Sequence, residues 1–276
     1  MTRSARRTRW TFQVAGAGAA AMLALSGCGG SDSSSSASDS SASPSGSASP
    51  EVSGEITVFA AASLQGSFET LGKQFEDAHP GTTVTFSFGG SDALAASITG
   101  GAPADVFASA SPRTMEIVTD AGDAEGTPAT FARNELEIAT LPGNPDKITS
   151  LEDLTNPDLK VVLCDETVPC GAAAQTALDA SGLKLTPVSY EEDVKSALNK
   201  VVLKEADAAV VYKTDVQAAG DTVEGVEFPE SADAINNYPI TLLKDAPNAG
   251  TAEAFIELVR SAEGQKVLTD AGFLQP

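Results

Sequence analysis

The sequence predicts an α/β fold of two lobes with a ligand cleft between them. Short apolar runs that fit buried strands alternate with segments whose apolar residues recur at helical spacing, which is typical of sheets covered by helices. Near residues 131–135 the chain leaves the first βα series, and Tyr238–Leu243 reads as a strand that returns to it. The roughly 220 folded residues can hold one large or two small α/β domains, and the insertion favours two.

The first 27 residues are predicted to be an export signal. They carry four arginines and no acid, and an apolar run covers Val14–Leu25. About a dozen apolar residues are fewer than the roughly 20 that a membrane span needs, so a transmembrane anchor is the weaker alternative. Small residues directly before Cys28 resemble a bacterial lipoprotein signal, in which this cysteine becomes the lipidated N-terminus.

Residues 28–53 are predicted to form a flexible tether. Ser, Ala, Gly, Asp and Pro dominate this stretch, and such a composition cannot bury apolar surface. We expect folding to begin near Glu55. The first lobe is assigned to residues 54–134 and 230–276, and the second lobe to residues 135–229.

The strongly acidic composition restricts the partners of the chain. The net charge is −21, and it becomes about −25 without the four arginines of the signal. Nucleic acid needs a basic surface and is therefore excluded as a partner. An anionic ligand remains compatible, because local donors act at short range and salt screens distant surface charge over about 10 Å.

The first predicted strand, Ile56–Ala60, leads into a helix whose apolar residues run from Leu64 to Phe75. Ser63 stands between the two and is predicted to be the N-cap of that helix. A helix N-terminus offers unpaired N–H groups and a partial positive charge, which suits an anion. The alternative is an ordinary capping serine without a ligand.

The second strand, Thr82–Phe88, repeats this arrangement. It ends in two glycines and Ser91, and a short helix carrying Leu94 and Ile98 follows. Carboxyl ends of parallel strands lie side by side, where open α/β sheets bind ligands, so both serines should face one site. Asp92 is predicted to face solvent in the first helical turn.

The later elements are read from the same patterns. Tyr212 ends a predicted strand, Val194 opens a helix preceded by acidic residues, and Tyr238 is interpreted as a packing or hinge residue. Further strands are predicted at Ala104–Ser109, Leu136–Leu141, Lys160–Leu163 and Ala206–Tyr212. Further helices are predicted near residues 171–180, 194–201, 252–261 and 264–270, together with one that carries Met115, Ile117 and Val118 and a helix start at Thr149 and Ser150.

Two cysteines remain in the folded part after Cys28 is removed. Cys164 and Cys170 form an even pair six residues apart in an oxidising compartment, so we expect a short disulfide. A buried pair of free thiols and a pair of metal ligands are the alternatives, and the lack of nearby histidines disfavours the metal.

Motifs of catalysis are not found in the sequence. His79 is the only histidine, the serines lack a Gly-x-Ser-x-Gly elbow, and the glycine pair before Ser91 has no P-loop ending. We therefore expect a protein that is not an enzyme, needs no cofactor and binds no metal cation directly.

Six segments together resemble the molybdate-binding proteins of ATP-driven molybdate importers, which are two-lobed periplasmic binding proteins of type II. They are residues 58–64 (VFAAASL), 87–95 (SFGGSDALA), 101–107 (GAPADVF), 168–174 (VPCGAAA), 192–198 (EDVKSAL) and 210–215 (VVYKTD). The resemblance covers residues 55–273, and the first and third segments together are specific.

The resemblance implies a site for a tetrahedral oxyanion between the lobes. Two serine hydroxyls, backbone N–H groups and a tyrosine hydroxyl hold the ion in that family. By motif these are Ser63, Ser91, the N–H groups of Cys170 and Val194, and Tyr212. Cys170 replaces the small apolar residue expected there, but the role belongs to its backbone.

The implied function is capture of molybdate, with tungstate as a second ligand, by an extracytoplasmic lipoprotein that delivers it to an ABC-transporter permease. We expect a monomer anchored by lipid to the outer face of the cell membrane. Another oxyanion such as sulfate is the alternative ligand, and a secreted enzyme using serine or cysteine is an alternative from another class.

Overall fold

The computed structural model of the chain describes residues 52–276. The predicted signal, the lipidation site Cys28 and nearly all of the tether lie outside these residues. Two five-stranded sheets organise the described part. This architecture confirms the predicted α/β fold class.

The elements follow one another in a regular α/β series. The strands are β1 (Gly54–Ala61), β2 (Thr82–Gly89), β3 (Val106–Ala108), β4 (Ala124–Asn134), β5 (Leu136–Thr140), β6 (Val161–Cys164), β7 (Ser189–Glu191), β8 (Ala208–Tyr212), β9 (Glu224–Val226) and β10 (Asn236–Leu243). The α-helices are α1 (Gln65–Ala78), α2 (Ser91–Thr99), α3 (Pro112–Ala121), α4 (Pro169–Ser181), α5 (Val194–Val202), α6 (Lys213–Ala219), α7 (Ala249–Arg260) and α8 (Ala262–Asp270). Short 3₁₀ helices cover Ala62–Leu64, Glu152–Thr155, Gly220–Thr222 and Pro229–Ala234.

The first sheet has the strand order β2-β1-β3-β10-β4. Strands β2, β1 and β3 are parallel, and β10 runs antiparallel to both of its neighbours. The helices α1 and α7 cover one face, where Phe68 and Phe75 both contact Phe255. We call this sheet with its helices the first lobe.

The second sheet has the order β7-β6-β8-β5-β9. Its central strand β8 is buried at every residue, which explains the uninterrupted apolar sequence at Ala208–Tyr212. The apolar faces of α4 and α5 pack into the same core. This sheet and its helices form the second lobe.

The chain crosses between the lobes along two neighbouring strands. β4 ends at Asn134 and β5 begins at Leu136, so a single residue separates strands of different sheets. On the way back the chain enters β10 at Asn236, which lies opposite Asn134 in the antiparallel pair. We call these two strand ends the hinge, and opposite residues present their side chains on the same face.

Several elements were not predicted from the sequence. β4 contains Gly126 and Pro128, which argue against a strand, but β4 is the edge of its sheet and proline is tolerated there. β7 and β9 are three-residue strands, too short to give a pattern. Near residues 149–154 only a short 3₁₀ helix forms.

None of the helices within residues 52–276 has the length and apolar character needed to cross a membrane.

Candidate functional site

A small cavity lies where the two lobes meet. Its volume is about 20 Å³, measured as the space open to the centre of a water-sized sphere. Since one water needs about 10–15 Å³ on this measure, the cavity suits a compact ion and excludes a sugar or a peptide. It is lined by Ala61, Ala62, Ser63, Gly89, Gly90, Ser91 and Ala110 from the first lobe and by Val168, Pro169, Cys170, Asp193, Val194 and Tyr212 from the second.

All five site residues predicted from the sequence line this cavity. A wider groove of about 530 Å³ lies on the second lobe beside α4, but none of the five lines it. We therefore take the cavity between the lobes as the candidate site.

Ser63 lies at the end of β1, but it does not cap a helix. It belongs to the 3₁₀ turn Ala62–Leu64, and Leu64 is the N-cap of α1. The hydroxyl of Ser63 instead lies 2.9 Å from the hydroxyl of Tyr238, in a buried hydrogen bond between residues 175 positions apart. The capping prediction was therefore wrong, because a tertiary partner was available that the local sequence does not show.

Ser91 is the first residue of α2, and Gly90 is the N-cap. The Ser91 hydroxyl accepts a hydrogen bond from the Ala110 N–H at 3.0 Å. The backbone N–H can only donate, so the single proton of this hydroxyl is left for another acceptor. Ser91 thus lies at the start of the helix, as predicted, and its hydroxyl is held by Ala110.

The second lobe contributes the N-termini of two helices. Cys170 is the second residue of α4, after Pro169, and Val194 is the first residue of α5. N–H groups in the first turn have no acceptor within their own helix, and the helix dipole makes this end positive. Both N–H groups are available for an anion in the cavity.

Asp193 also lines the cavity, but its carboxylate is engaged by its own helix. Oδ1 accepts a hydrogen bond from the Ser196 N–H at 2.9 Å, and Oδ2 accepts one from the Ser196 hydroxyl at 3.0 Å. As the N-cap of α5, Asp193 accepts from the Ser196 N–H, the third in the helix, and leaves the Val194 N–H free.

Cys164 and Cys170 form a disulfide with a Cα–Cα distance of 5.8 Å. The bond joins the end of β6 to the first turn of α4. A β-carbon at Gly171 would lie against the carbonyl of Asp165, so only glycine permits this tight return. The loop that carries the Cys170 N–H is thereby fixed to the sheet.

Tyr212 ends β8 and is almost fully buried. Its hydroxyl oxygen lies 2.6 Å from Asn236 Nδ2. Burial raises the pKa of this phenol well above its usual value, so the hydroxyl keeps its proton. Tyr212 is therefore a neutral donor.

Three further residues around the site were not identified from the sequence. Tyr238 has more than a packing role, because its hydroxyl bonds to Ser63 and lies 3.3 Å from Asn134 Nδ2. Asn236 holds Tyr212 as described above. These contacts join residues 24 to 175 positions apart, so no local pattern could have predicted them.

The cavity holds neutral donors in place of positive charge. Its lining residues include neither lysine nor arginine. Behind it, Lys195 Nζ lies 3.0 Å from Oδ1 of the buried Asp215. Asp92, expected in solvent, is only partly exposed and its Oδ1 is buried, but it is not part of the lining.

Within residues 52–276 there is no cluster of three or more His, Cys, Asp or Glu side chains that could hold a metal ion. The arrangement of hydroxyl and backbone donors is instead suited to the oxygens of an anion.

Comparisons with known proteins show which proteins this chain is similar to. The molybdate-binding protein of Mycobacterium tuberculosis strain H37Rv is 45% identical over 221 residues, which cover 80% of this chain and 85% of the relative. The molybdate-binding protein of Escherichia coli K12 is 32% identical, with 80% and 89% of the two chains covered. The structure of the periplasmic molybdate-binding protein of Azotobacter vinelandii shares the fold with a TM-score of 0.70, at 22% identity over 80% of this chain and 99% of that one.

These matches confirm the resemblance that the sequence motifs predicted. They also agree with the prediction of a binding protein that is not an enzyme, since the matched family is one of binding proteins. Its model, described as bacterial extracellular solute-binding protein, matches residues 56–274. This chain therefore belongs to the family of bacterial extracellular solute-binding proteins.

Proposed function

We propose that this protein captures molybdate, and also tungstate, in the cavity between its lobes. The observation that carries the proposal is the convergence of Ser63, Ser91 and Tyr212 with the N–H groups of Cys170 and Val194 on one small cavity. Relatives at 45% and 32% identity that are named molybdate-binding proteins support the choice of ion.

The chemistry of the cavity favours an ion that is fully deprotonated. Molybdate is such a dianion at neutral pH, and it needs only donors. Neutral hydroxyl and backbone donors supply them without the desolvation cost of a buried arginine. Phosphate still carries a proton near neutral pH and would leave that proton without an acceptor.

Titration of the purified protein with molybdate, tungstate, sulfate and phosphate tests the proposal. A ligand that binds only the native state at 100 times its Kd stabilises that state by about 2.7 kcal/mol, so molybdate and tungstate should raise the melting temperature. The double variant Ser63→Ala/Ser91→Ala should lose this shift. A shift with sulfate alone would replace molybdate by the alternative ligand, and no shift with molybdate or tungstate would refute the proposal.

We further propose that the protein is a lipid-anchored monomer that delivers its ion to an ABC-transporter permease. The lobe boundaries predicted above are part of this proposal. Small residues before Cys28 support the anchor, and the composition of residues 28–53 supports a tether that lets the lobes reach the permease.

Expression of Cys28→Ala in the native cell tests the anchor. The unmodified protein should sediment with membranes, and the variant should be soluble or remain unprocessed, because one cysteine carries the lipid. Identical membrane retention and processing of both proteins would rule out lipidation at Cys28.

A further inference from the structure

The two hinge asparagines have side-chain amides whose orientation is set by backbone groups. Asn134 Oδ1 accepts a hydrogen bond from the Glu135 N–H at 3.1 Å, so its Nδ2 must be the atom that faces Tyr238. Asn236 Nδ2 lies 3.3 Å from the Pro169 carbonyl oxygen. A carbonyl can only accept, so this amide cannot be reversed either.

Each amide therefore donates to a tyrosine oxygen. Asn134 Nδ2 donates to Thr214 Oγ1 at 2.8 Å and to Tyr238 Oη at 3.3 Å. Asn236 Nδ2 donates to Tyr212 Oη at 2.6 Å. A phenol oxygen that accepts from an amide must send its own proton in another direction.

The directions of the two phenol protons determine which hydroxyl groups can donate hydrogen bonds into the cavity. Either hydroxyl could donate in the 2.9 Å bond between Ser63 and Tyr238, but the Tyr238 oxygen already accepts from Asn134, so the arrangement in which Tyr238 donates to Ser63 uses both groups and leaves the Ser63 proton for the cavity. The Tyr212 proton points away from Asn236, and its residue lines the cavity. The Tyr238 hydroxyl also interacts with Tyr212, but an anion is a stronger acceptor than a neutral phenol, so with an anion in the cavity both hydroxyls act as donors to it, as Ser91 does because Ala110 donates to it.

We propose that Asn134 and Asn236 are specificity-determining residues, which fix the hydroxyls of Ser63 and Tyr212 as donors and so exclude oxyanions that carry a proton. They act through Tyr238 and Tyr212 and are positioning residues, without contact to the ion. This inference rests on the proposed function, because it names what sets the selectivity of that same site.

The variant Asn134→Asp should reverse the direction of the hydrogen bonds that run from Asn134 through Tyr238 to Ser63. Its carboxylate still accepts from the Glu135 N–H, and its second oxygen accepts from Thr214 and Tyr238, so the Tyr238 proton turns away from Ser63. Ser63 then donates to Tyr238 and presents a lone pair to the cavity, which can accept the proton of HPO₄²⁻.

The readout is the ratio of the Kd for inorganic phosphate to the Kd for molybdate, measured by calorimetry at about pH 8, where both ions are mostly dianions. Charge repulsion by the new carboxylate weakens both ions alike and cancels in the ratio. We expect the ratio to fall by about tenfold or more in Asn134→Asp. The control Asn237→Asp adds the same charge at an exposed position beside the hinge. It should leave the ratio unchanged.

Asn236→Leu provides a second, uncharged variant if Asn134→Asp fails to fold. Tyr212 then loses the donor that its oxygen accepts from, so this oxygen is free to accept the proton of HPO₄²⁻ and the ratio should again fall. A ratio within about twofold of that of the unmodified protein in the folded variants overturns the proposal. Failure of the unmodified protein to bind molybdate would instead refute the proposed function, so the two failures are distinguishable.

Discussion

At the scale of single residues, the site depends on hydroxyl groups whose partners lie far away in the sequence. Ser63 is held by Tyr238, and Ser91 is held by the N–H of Ala110. The Ser91 oxygen accepts from a group that can only donate, so the Ser91 proton is left for a ligand, and Ser63 is in the same position when Tyr238 donates to it. The role of each serine as a donor is therefore set by its partners in the folded chain, and the sequence motifs that contain the serines do not show it.

Tyr238→Phe tests this dependence. The ring remains packed against Phe131 and Phe273, so the fold should be retained. Without the phenol, Ser63 loses its partner and can turn, and we expect the Kd for molybdate to rise about tenfold, which corresponds to about 1.4 kcal/mol.

Calorimetry measures that change, with Tyr190→Phe as the matched control. Tyr190 is 59% exposed and does not line the cavity, so loss of its hydroxyl should leave the Kd unchanged. Equal affinities of the Tyr238→Phe variant and the unmodified protein would show that the bond to Ser63 is unimportant.

At the scale of elements, the second lobe fixes two helix N-termini at the cavity by different means. The disulfide ties the first turn of α4 to the end of β6. The contact of Lys195 with Asp215 ties the first turn of α5 to α6. Both fix backbone donors in advance, which lowers the ordering cost of binding.

Reduction of the disulfide should weaken molybdate binding. The closed loop is short, so its chain entropy contributes about 2 kcal/mol to stability. Binding should suffer as well, because the Cys170 N–H then lies on a loop that can move.

Calorimetric titration with and without reductant measures this effect, with a thiol assay to confirm that the bond has opened. Loss of stability with unchanged affinity would mean that the disulfide serves the fold alone.

Asp215 should make the free energy of unfolding depend on pH in the acidic range. Burial raises the pKa of this carboxyl above its ordinary value of 3.8, and the nearby Lys195 ammonium opposes the rise. The native state then holds the proton more tightly than the unfolded chain, so the contribution of Asp215 falls as pH rises from 3.8 through its raised pKa.

Denaturant unfolding of the unmodified protein and of Asp215→Asn at several pH values checks the sign. Since asparagine does not titrate, the stability of the unmodified protein relative to the variant should decrease across that window and then level off. A difference that is constant or increases with pH would contradict the expected direction.

At the scale of the whole molecule, the structure shows the lobes in contact around the cavity. Arg113 on α3 donates to the carbonyl of Thr167 in the other lobe. Gly90 of the first lobe also lies against the second, since a β-carbon there would come within 2.5 Å of the Glu192 carbonyl oxygen. A ligand that touches both lobes favours this closed arrangement.

Gly90→Ala should hold the lobes apart. The added methyl group meets backbone, which cannot give way as a flexible side chain would, so closure should be incomplete and the Kd for molybdate should rise. Gly66→Ala is the control, because Gly66 is exposed on α1, does not line the cavity, and a β-carbon there would meet nothing within 4 Å.

Small-angle scattering with and without molybdate, together with calorimetry, measures both effects. The unmodified protein and Gly66→Ala should become more compact with the ion. Equal compaction and affinity in Gly90→Ala would show that this close approach does not limit closure.

The sequence by itself determined the α/β class, most of the strands and helices, and the identity of the five residues around the cavity. The periodicity of apolar residues, the strand-to-helix turns and the short motifs are local features, so they can be recognised from neighbouring residues in the sequence. The edge strand β4 was missed because its Gly126 and Pro128 argue locally against a strand, and only pairing with β10 stabilises it. Only the tertiary structure decided that Ser63 bonds to Tyr238 and that Asn134 and Asn236 face each other at the hinge, because these contacts form between segments that only the folded chain brings together.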